Sequence, residues 1–143
     1  MVDLREVGKL DRDSRNLIAR ALKVRARAHA PYSSFLVGCA LEDERGKIHT
    51  GCNVETASYS GTICAERAAL VKMVSRGGKE CRRIVVVTSS DVPAFPCGFC
   101  LQMIQELGSE SEVIAVDIHG KKYRAAYFRE LMPYAFSKEM LTP

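Results

Sequence analysis

The chain has 143 residues and a formal net charge of +4 at pH 7, with 47% hydrophobic and 27% charged residues. These values are ordinary for a globular protein and suit one domain with a substantial core, over residues 1–143. The sequence contains no apolar run of membrane length, and residues 1–6 lack an apolar stretch of the signal-peptide kind. We therefore expect a cytoplasmic protein without a membrane partner, whose thiols stay reduced and free to bind metal.

The first predicted element is an amphipathic helix over residues 11–29, with Asp11 or Ser14 as the capping residue. It ends before Pro31, because proline disfavours helix at the preceding residue. Basic residues cluster in 15–27 without interleaved aromatic side chains. This pattern favours a solvated face or a subunit contact over a nucleic-acid groove, so we expect no nucleic-acid partner.

Two apolar segments around a turn predict a β-hairpin, with strands over 35–41 and 48–54 and a turn over 44–47. At the end of the second strand, Asn53 and Glu55 lie two residues apart, which places their side chains on one face. An amide and a carboxylate so arranged can bracket vicinal hydroxyl groups, as on a ribose. The alternative is a polar strand end that only caps the turn.

The rest of the chain alternates between helical and extended patterns. The predicted elements are a helix over 62–75 capped by Thr62, a buried strand over 83–89, a helix from Pro96 to Gly108, strands over 112–117 and 123–125, and a short helix over 128–132. This order predicts an α/β fold with a mixed sheet between helices.

Three of the six cysteines lie in two short blocks, each of which opens a helix-like run. Cys97 and Cys100 have the C-x2-C spacing of a metal site, and Cys64 would supply a third thiolate from another element. Three protein ligands would leave one position of a zinc ion open for water, as in catalytic sites. Glu66 is well placed to take a proton from that water. Arg67 and the two helix N-termini are expected to balance the negative charge of the thiolates.

Other interpretations of the cysteines stay open. Cys97 and Cys100 could form a redox pair, which would leave Cys64 and Glu66 unexplained. The zinc could also be purely structural, although no histidine has ligand spacing to either block. The remaining cysteines are expected to be small buried hydrophobes, namely Cys39, Cys52 and Cys81.

The blocks Cys64-Ala65-Glu66-Arg67 and Pro96-Cys97-Gly98-Phe99-Cys100 resemble the motifs of the cytidine deaminase family, and the resemblance extends over about residues 25–141. It implies a three-layer α-β-α sandwich with a central mixed five-stranded sheet, and one Zn²⁺ per subunit. It also implies hydrolysis of cytidine and 2'-deoxycytidine to uridine and 2'-deoxyuridine with release of ammonia, a pyrimidine salvage reaction.

The resemblance further implies which residues bind the substrate. Asn53 and Glu55 would hold the sugar, Phe35 would face the base, and Ala65 would also line the pocket. Phe136, in the tail, would reach the active site of a neighbouring subunit in a homotetramer. The alternatives are an ordinary core position for Phe35 and ordinary tail packing for Phe136.

Three positions depart from the family pattern. Leu101 stands where arginine is common, which puts a subunit contact in doubt. Phe99 stands where a small residue is usual and could narrow the metal side of the pocket, and Thr56 stands where asparagine is frequent. The catalytic set is intact.

Two alternative functions therefore remain. One is a deaminase of a modified cytosine nucleoside such as blasticidin S, against which the ribose-type pair Asn53 and Glu55 argues. The other is a non-catalytic, zinc-stapled interaction module, which would need no acid/base such as Glu66. The sequence lacks a glycine-rich phosphate loop, which favours a nucleoside over a nucleotide substrate.

Overall fold

A computed structural model describes residues 2–141. Its strands are β1 (Arg5–Glu6), β2 (Gly38–Asp43), β3 (Ile48–Cys52), β4 (Cys81–Val87), β5 (Glu112–Val116) and β6 (Lys122–Tyr127). Its α-helices are α1 (Arg12–Arg25), α2 (Ala65–Ser75), α3 (Gly98–Gly108) and α4 (Phe128–Leu131). Short 3₁₀ turns cover Val7–Lys9, Tyr59–Gly61 and Lys138–Leu141.

The strands form one mixed sheet in the order β1-β6-β5-β4-β2-β3, in which β4 and β5 are parallel and the other neighbours are antiparallel. Helix α1 packs on one face of this sheet, and α2, α3 and α4 pack on the other. Strand β4 is buried on both faces, because Val85 and Val87 contact the α1 side while Ile84 and Val86 contact the α2 side. The α-β-α sandwich is confirmed.

The predicted strand number of five is wrong, because β1 adds a sixth strand at the sheet edge. Arg5 pairs with Tyr123 and Glu6 with Lys122, in antiparallel register. Both β1 residues are exposed, and the strand has only two residues. It therefore has no alternation of apolar and polar residues that could indicate a strand.

Several predicted boundaries also shift. Asp11 caps α1 as expected, since its Oδ1 accepts a hydrogen bond from the Ser14 amide at 2.8 Å. The helix ends at Arg25 rather than 29, because His29 leaves the helix to form a β-bridge with Val54. Strand β2 begins three residues later than predicted, at Gly38.

The N-termini of α2 and α3 differ from expectation in a way that matters for the site. Thr62 does not cap α2, because Ile63 is held in a β-bridge with Val54 and the helix begins only after Cys64. Pro96 is not the first residue of α3, which begins after Cys97. In both helices the capping position is thus occupied by a cysteine.

Gly51 allows α2 to lie close against β3. A Cβ atom at this position would lie 2.5 Å from the Ala65 carbonyl oxygen and 2.6 Å from the Ala69 nitrogen. Only glycine fits at that distance, so the first turns of α2 contact the sheet directly. Within residues 2–141, no helix combines the length and apolar character needed to cross a membrane.

Candidate active site

The N-termini of α2 and α3 bring three thiols together. Cys64 and Cys97 are the capping residues, Cys100 lies in the first turn of α3, and the three Sγ atoms lie within 4.8 Å of one another. The Sγ atoms of Cys97 and Cys100 are 3.7 Å apart. Two thiolates bound to one tetrahedral zinc ion at about 2.3 Å lie about 3.8 Å apart, so this donor set fits zinc.

The environment of Cys64 favours its thiolate form. Hydrogen bonding with the Cys100 thiol, followed by that with Arg67, lowers the pKa of Cys64 to about 5, although burial opposes the shift. Arg67 donates one hydrogen bond to the Thr62 carbonyl oxygen at 2.8 Å and a longer one to Cys64 Sγ at 3.9 Å. The guanidinium group is therefore anchored beside the thiols, where its charge offsets theirs.

Glu66 lies in the first turn of α2 and is only 5% exposed. Burial raises the pKa of Glu66 to about 7, because an ionised carboxylate is poorly solvated there. A carboxyl group with this pKa exists in both protonation states near neutral pH. That property suits a group that accepts a proton and returns it in one reaction cycle.

Glu66 and two of the three thiols, Cys64 and Cys97, border a cavity of about 300 Å³, a volume that suits a small-molecule ligand. Seven of the ten candidate residues line this cavity, namely Phe35, Asn53, Glu55, Cys64, Ala65, Glu66 and Cys97. Ala65 is fully buried between Cys64 and Glu66 and leaves room beside them. An acid/base group and a metal-binding cluster thus share one pocket.

Residues 11–116 match the family model described as the cytidine and deoxycytidylate deaminase zinc-binding region. The chain belongs to this family. It is 41% identical over 130 residues to the cytidine deaminase of Sporosarcina psychrophila, a match that covers 91% of this chain and 96% of that protein.

Solved structures of the family agree with this assignment. The chain is similar to the crystal structure of cytidine deaminase from Burkholderia pseudomallei, with a TM-score of 0.81 and 39% identity over 89% of this chain and 100% of the other. It is also similar to the cytidine deaminase from Mycobacterium tuberculosis, with a TM-score of 0.76 and 34% identity over 89% and 99%. The family's zinc-binding region and the three-thiol cluster together identify a zinc-dependent deaminase with one Zn²⁺ per subunit.

In this deaminase, Asn53 and Glu55 line the pocket, but not as strand residues. Strand β3 ends at Cys52, so the alternation of strand side chains does not place them. Asn53 is buried, and its side chain bonds the Phe35 carbonyl oxygen and the Val37 amide, both at 2.8 Å. The Glu55 carboxylate accepts hydrogen bonds from residues 32 and 33. Both side chains are therefore hydrogen-bonded to residues 32–37 of the chain itself.

The aromatic candidates occupy different environments. Phe35 is 41% exposed and borders the cavity, so the alternative of an ordinary core residue is wrong. Phe136 is half-exposed and does not border the cavity of its own chain. Its carbonyl oxygen accepts a hydrogen bond from the Gln102 side chain at 2.8 Å. Phe99 is 81% exposed and does not border the cavity either, so its ring does not narrow the pocket within one chain.

Two contacts had no signal in the sequence, one at the deaminase pocket and one in the interior away from the pocket walls. Ser33 borders the cavity and donates a hydrogen bond to Glu55. The sequence Pro-Tyr-Ser-Ser around it is typical of a turn and carries no signal of this contact. His49 pairs with Asp43 at 2.9 Å in the interior, a contact between adjacent elements that no spacing rule would suggest.

Proposed function

We propose that this protein catalyses the hydrolytic deamination of cytidine and 2'-deoxycytidine to uridine and 2'-deoxyuridine, with release of ammonia. One observation carries the proposal: a buried carboxyl group with a pKa near 7 lies in a cavity of nucleoside size, beside two thiols of a three-thiol cluster that is spaced for zinc. The relatives named cytidine deaminase support the choice of substrate.

Cys64, Cys97 and Cys100 would hold the Zn²⁺. When bound, this ion supplies Lewis-acid activation of a water molecule. Glu66 accepts the protons of the water and delivers one to N3 of the cytosine and the other to the amine that leaves C4, so water and cytidine give uridine and ammonia. Burial keeps Glu66 from ionising fully at neutral pH and allows it to perform both transfers. Arg67 stabilises the thiolates through its hydrogen bond to Cys64.

The remaining candidates would bind the nucleoside. Phe35 presents a partly exposed ring to the cavity and would contact the base. Asn53 and Glu55 would bind sugar hydroxyl groups through acceptor positions that their internal hydrogen bonds leave free. Ala65 would border the base through its small side chain and backbone.

A spectrophotometric assay of cytidine loss tests the function directly. We expect turnover that a chelator abolishes and added Zn²⁺ restores, and faster turnover of cytidine than of blasticidin S. A zinc-loaded, folded protein that leaves cytidine unchanged would contradict the proposal and favour an interaction module. Faster turnover of blasticidin S would assign the enzyme to the modified nucleoside instead.

We also propose that the enzyme is a cytoplasmic homotetramer that serves pyrimidine salvage, with no nucleic-acid partner. Exposed aromatic side chains support self-association, notably Tyr32, Tyr59, Phe99, Tyr134 and Phe136. Phe136 would complete the pocket of a neighbouring subunit. Sedimentation velocity should give a tetramer, and Phe136→Ala should raise KM for cytidine. A monomer with full activity would contradict this arrangement.

A further inference from the structure

One wall of the pocket is an irregular segment, residues 31–37, which we call the wall segment. It lies between α1 and β2 and contributes Ser33, Phe35 and Val37 to the cavity. Apart from Pro31, each residue of the segment has a backbone N–H group that needs an acceptor. Because the segment is not part of a helix or strand, those acceptors must come from elsewhere in the chain.

All six backbone N–H groups from Tyr32 to Val37 have an acceptor, and five of the six are bound by side-chain oxygens. The five pairs are Tyr32 and Ser33 to Glu55 Oε2 at 3.0 and 3.1 Å, Phe35 to Ser33 Oγ at 3.0 Å, Leu36 to Ser89 Oγ at 3.0 Å, and Val37 to Asn53 Oδ1 at 2.8 Å. The sixth, Ser34, donates to the Ala30 carbonyl oxygen at 3.0 Å. Four side chains thus fix the position of the wall segment, namely those of Ser33, Asn53, Glu55 and Ser89.

Ser33 has a central place among the four. Its hydroxyl donates to Glu55 Oε1 and accepts from the Phe35 amide, so one group connects the carboxylate to the backbone of Phe35. The next residue, Ser34, has φ +56°, a left-handed conformation that is uncommon for any residue except glycine. Such a conformation persists only where the surroundings hold it. The hydrogen bonds on either side of Ser34 supply that restraint.

We propose that Ser33 is a positioning residue of the pocket: its hydroxyl fixes Phe35 at the cavity by joining the Phe35 amide to the Glu55 carboxylate. Ser33 acts through the wall and does not need to touch the reacting atoms. Its effect on the wall is independent of any substrate, whereas its effect on cytidine rests on the proposed function.

Hydrogen exchange of the zinc-loaded protein tests the effect on the wall without any substrate. In Ser33→Ala, we expect the Phe35 amide to exchange about three- to tenfold faster than in the wild type, the effect of losing one hydrogen bond. Ser34→Ala is the matched control, because the Ser34 hydroxyl has no hydrogen-bond partner within residues 2–141. Ser33→Thr retains the hydroxyl and should restore protection. Equal exchange in Ser33→Ala and the wild type would overturn the proposal.

Steady-state kinetics tests the consequence for catalysis. We expect Ser33→Ala to raise KM for cytidine about tenfold and to change kcat less than about threefold, because a displaced wall weakens ground-state and transition-state binding alike.

The same increase in KM should appear with 2',3'-dideoxycytidine, since the effect passes through Phe35. An effect confined to cytidine would overturn the proposal, because Ser33 would then act by aiming Glu55 at sugar hydroxyl groups. If the wild type deaminates no nucleoside, the proposed function fails, and the exchange experiment still decides the role of Ser33.

Discussion

Cys64 and Glu66 lie two residues apart at the start of α2, and their pKa values shift in opposite directions. The pKa of Cys64 falls to about 5, with hydrogen bonding to Cys100 as the main cause, and burial raises the pKa of Glu66 to about 7. At neutral pH one side chain is therefore an anion suited to a metal, and its neighbour exchanges a proton readily. One helix turn supplies two distinct chemical functions because its residues differ in burial and in hydrogen bonding.

Glu66→Gln should retain zinc and lose activity. The amide keeps the shape of the side chain but cannot accept and return a proton, so we expect kcat to fall about 10²- to 10⁴-fold. Zinc content by atomic absorption should stay at one ion per chain, because the metal-binding cluster consists of the three cysteines and does not include Glu66. Glu106→Gln, an exposed change on α3, is the control. Near-normal turnover in Glu66→Gln would exclude the acid/base role.

Cys100→Ala should abolish zinc binding. Its sulfur lies within 4.8 Å of the other two thiols, and two thiolates alone hold zinc weakly. We expect less than about a tenth of a zinc ion per chain and no deamination, both measured on protein purified with added zinc. Cys52→Ala changes a cysteine outside the cluster and should retain zinc and activity. Full zinc content in Cys100→Ala would show that another group binds the metal.

Much of the candidate site was predictable because its determinants are local in the sequence. Both cysteine blocks lie at the start of a helix. The helix geometry therefore places Cys100 near Cys97, and Glu66 near Cys64, without any contribution from distant residues. The buried strand predicted over 83–89 occurs at 81–87, because a continuous run of β-branched residues is typical of a strand that is buried on both faces. The sandwich followed from the order of such elements.

The features that escaped prediction depend on contacts between distant residues. Strand β1 exists because Arg5 and Glu6 meet residues of β6 more than a hundred positions later. The wall segment is held by side chains from 53–55 and 89, which no local pattern in 31–37 reveals. Helix α1 ends early because His29 bridges to Val54, although its helical spacing continues. Tertiary pairing overrides local periodicity in each case.

Arg67→Ala should weaken zinc binding without removing it. The guanidinium group donates to the Cys64 thiolate and is anchored on the Thr62 carbonyl oxygen, so its loss leaves the thiolates with less compensating charge. We expect zinc affinity, measured by competition with a chromophoric chelator, to fall about tenfold. Arg129→Ala removes an exposed arginine outside the pocket and is the control. Unchanged affinity and turnover in Arg67→Ala would exclude charge balancing.

Gly51→Ala should displace α2 and disturb the zinc site. The added Cβ atom would lie 2.5 Å from the Ala65 carbonyl oxygen, and the backbone of α2 must move to relieve that contact. We expect the free energy of unfolding to fall by about 1–3 kcal/mol, with a loss of zinc affinity. Gly8→Ala meets no atom within 4 Å and should match the wild type. Equal denaturation midpoints for the two variants would contradict the close packing of α2 on β3.

The buried carboxylate of Asp43 should make stability depend on pH. Burial alone would disfavour ionisation, but hydrogen bonds from Arg45, His49 and the Lys47 amide outweigh it and hold the pKa of Asp43 below its ordinary value. Because the unfolded chain binds this proton more readily, Asp43 stabilises the fold above about pH 4, the ordinary pKa of aspartate. That contribution is lost as the pH falls through the lowered pKa of the folded state.

Asp43→Asn should therefore differ from the wild type mainly at neutral pH. We expect its free energy of unfolding at pH 7 to be about 1–3 kcal/mol lower, since the donors around residue 43 lose a charged acceptor. The difference should shrink steadily between about pH 4 and pH 2, as the wild-type carboxylate takes up its proton.

Urea unfolding of both proteins at each pH measures this difference, and the comparison cancels any shared effect of zinc loss in acid. Asp91→Asn, at an exposed carboxylate, should stay within about 0.5 kcal/mol of the wild type throughout. A constant difference between Asp43→Asn and the wild type from pH 7 to pH 2 would mean that the carboxylate acts through its shape and not through its charge.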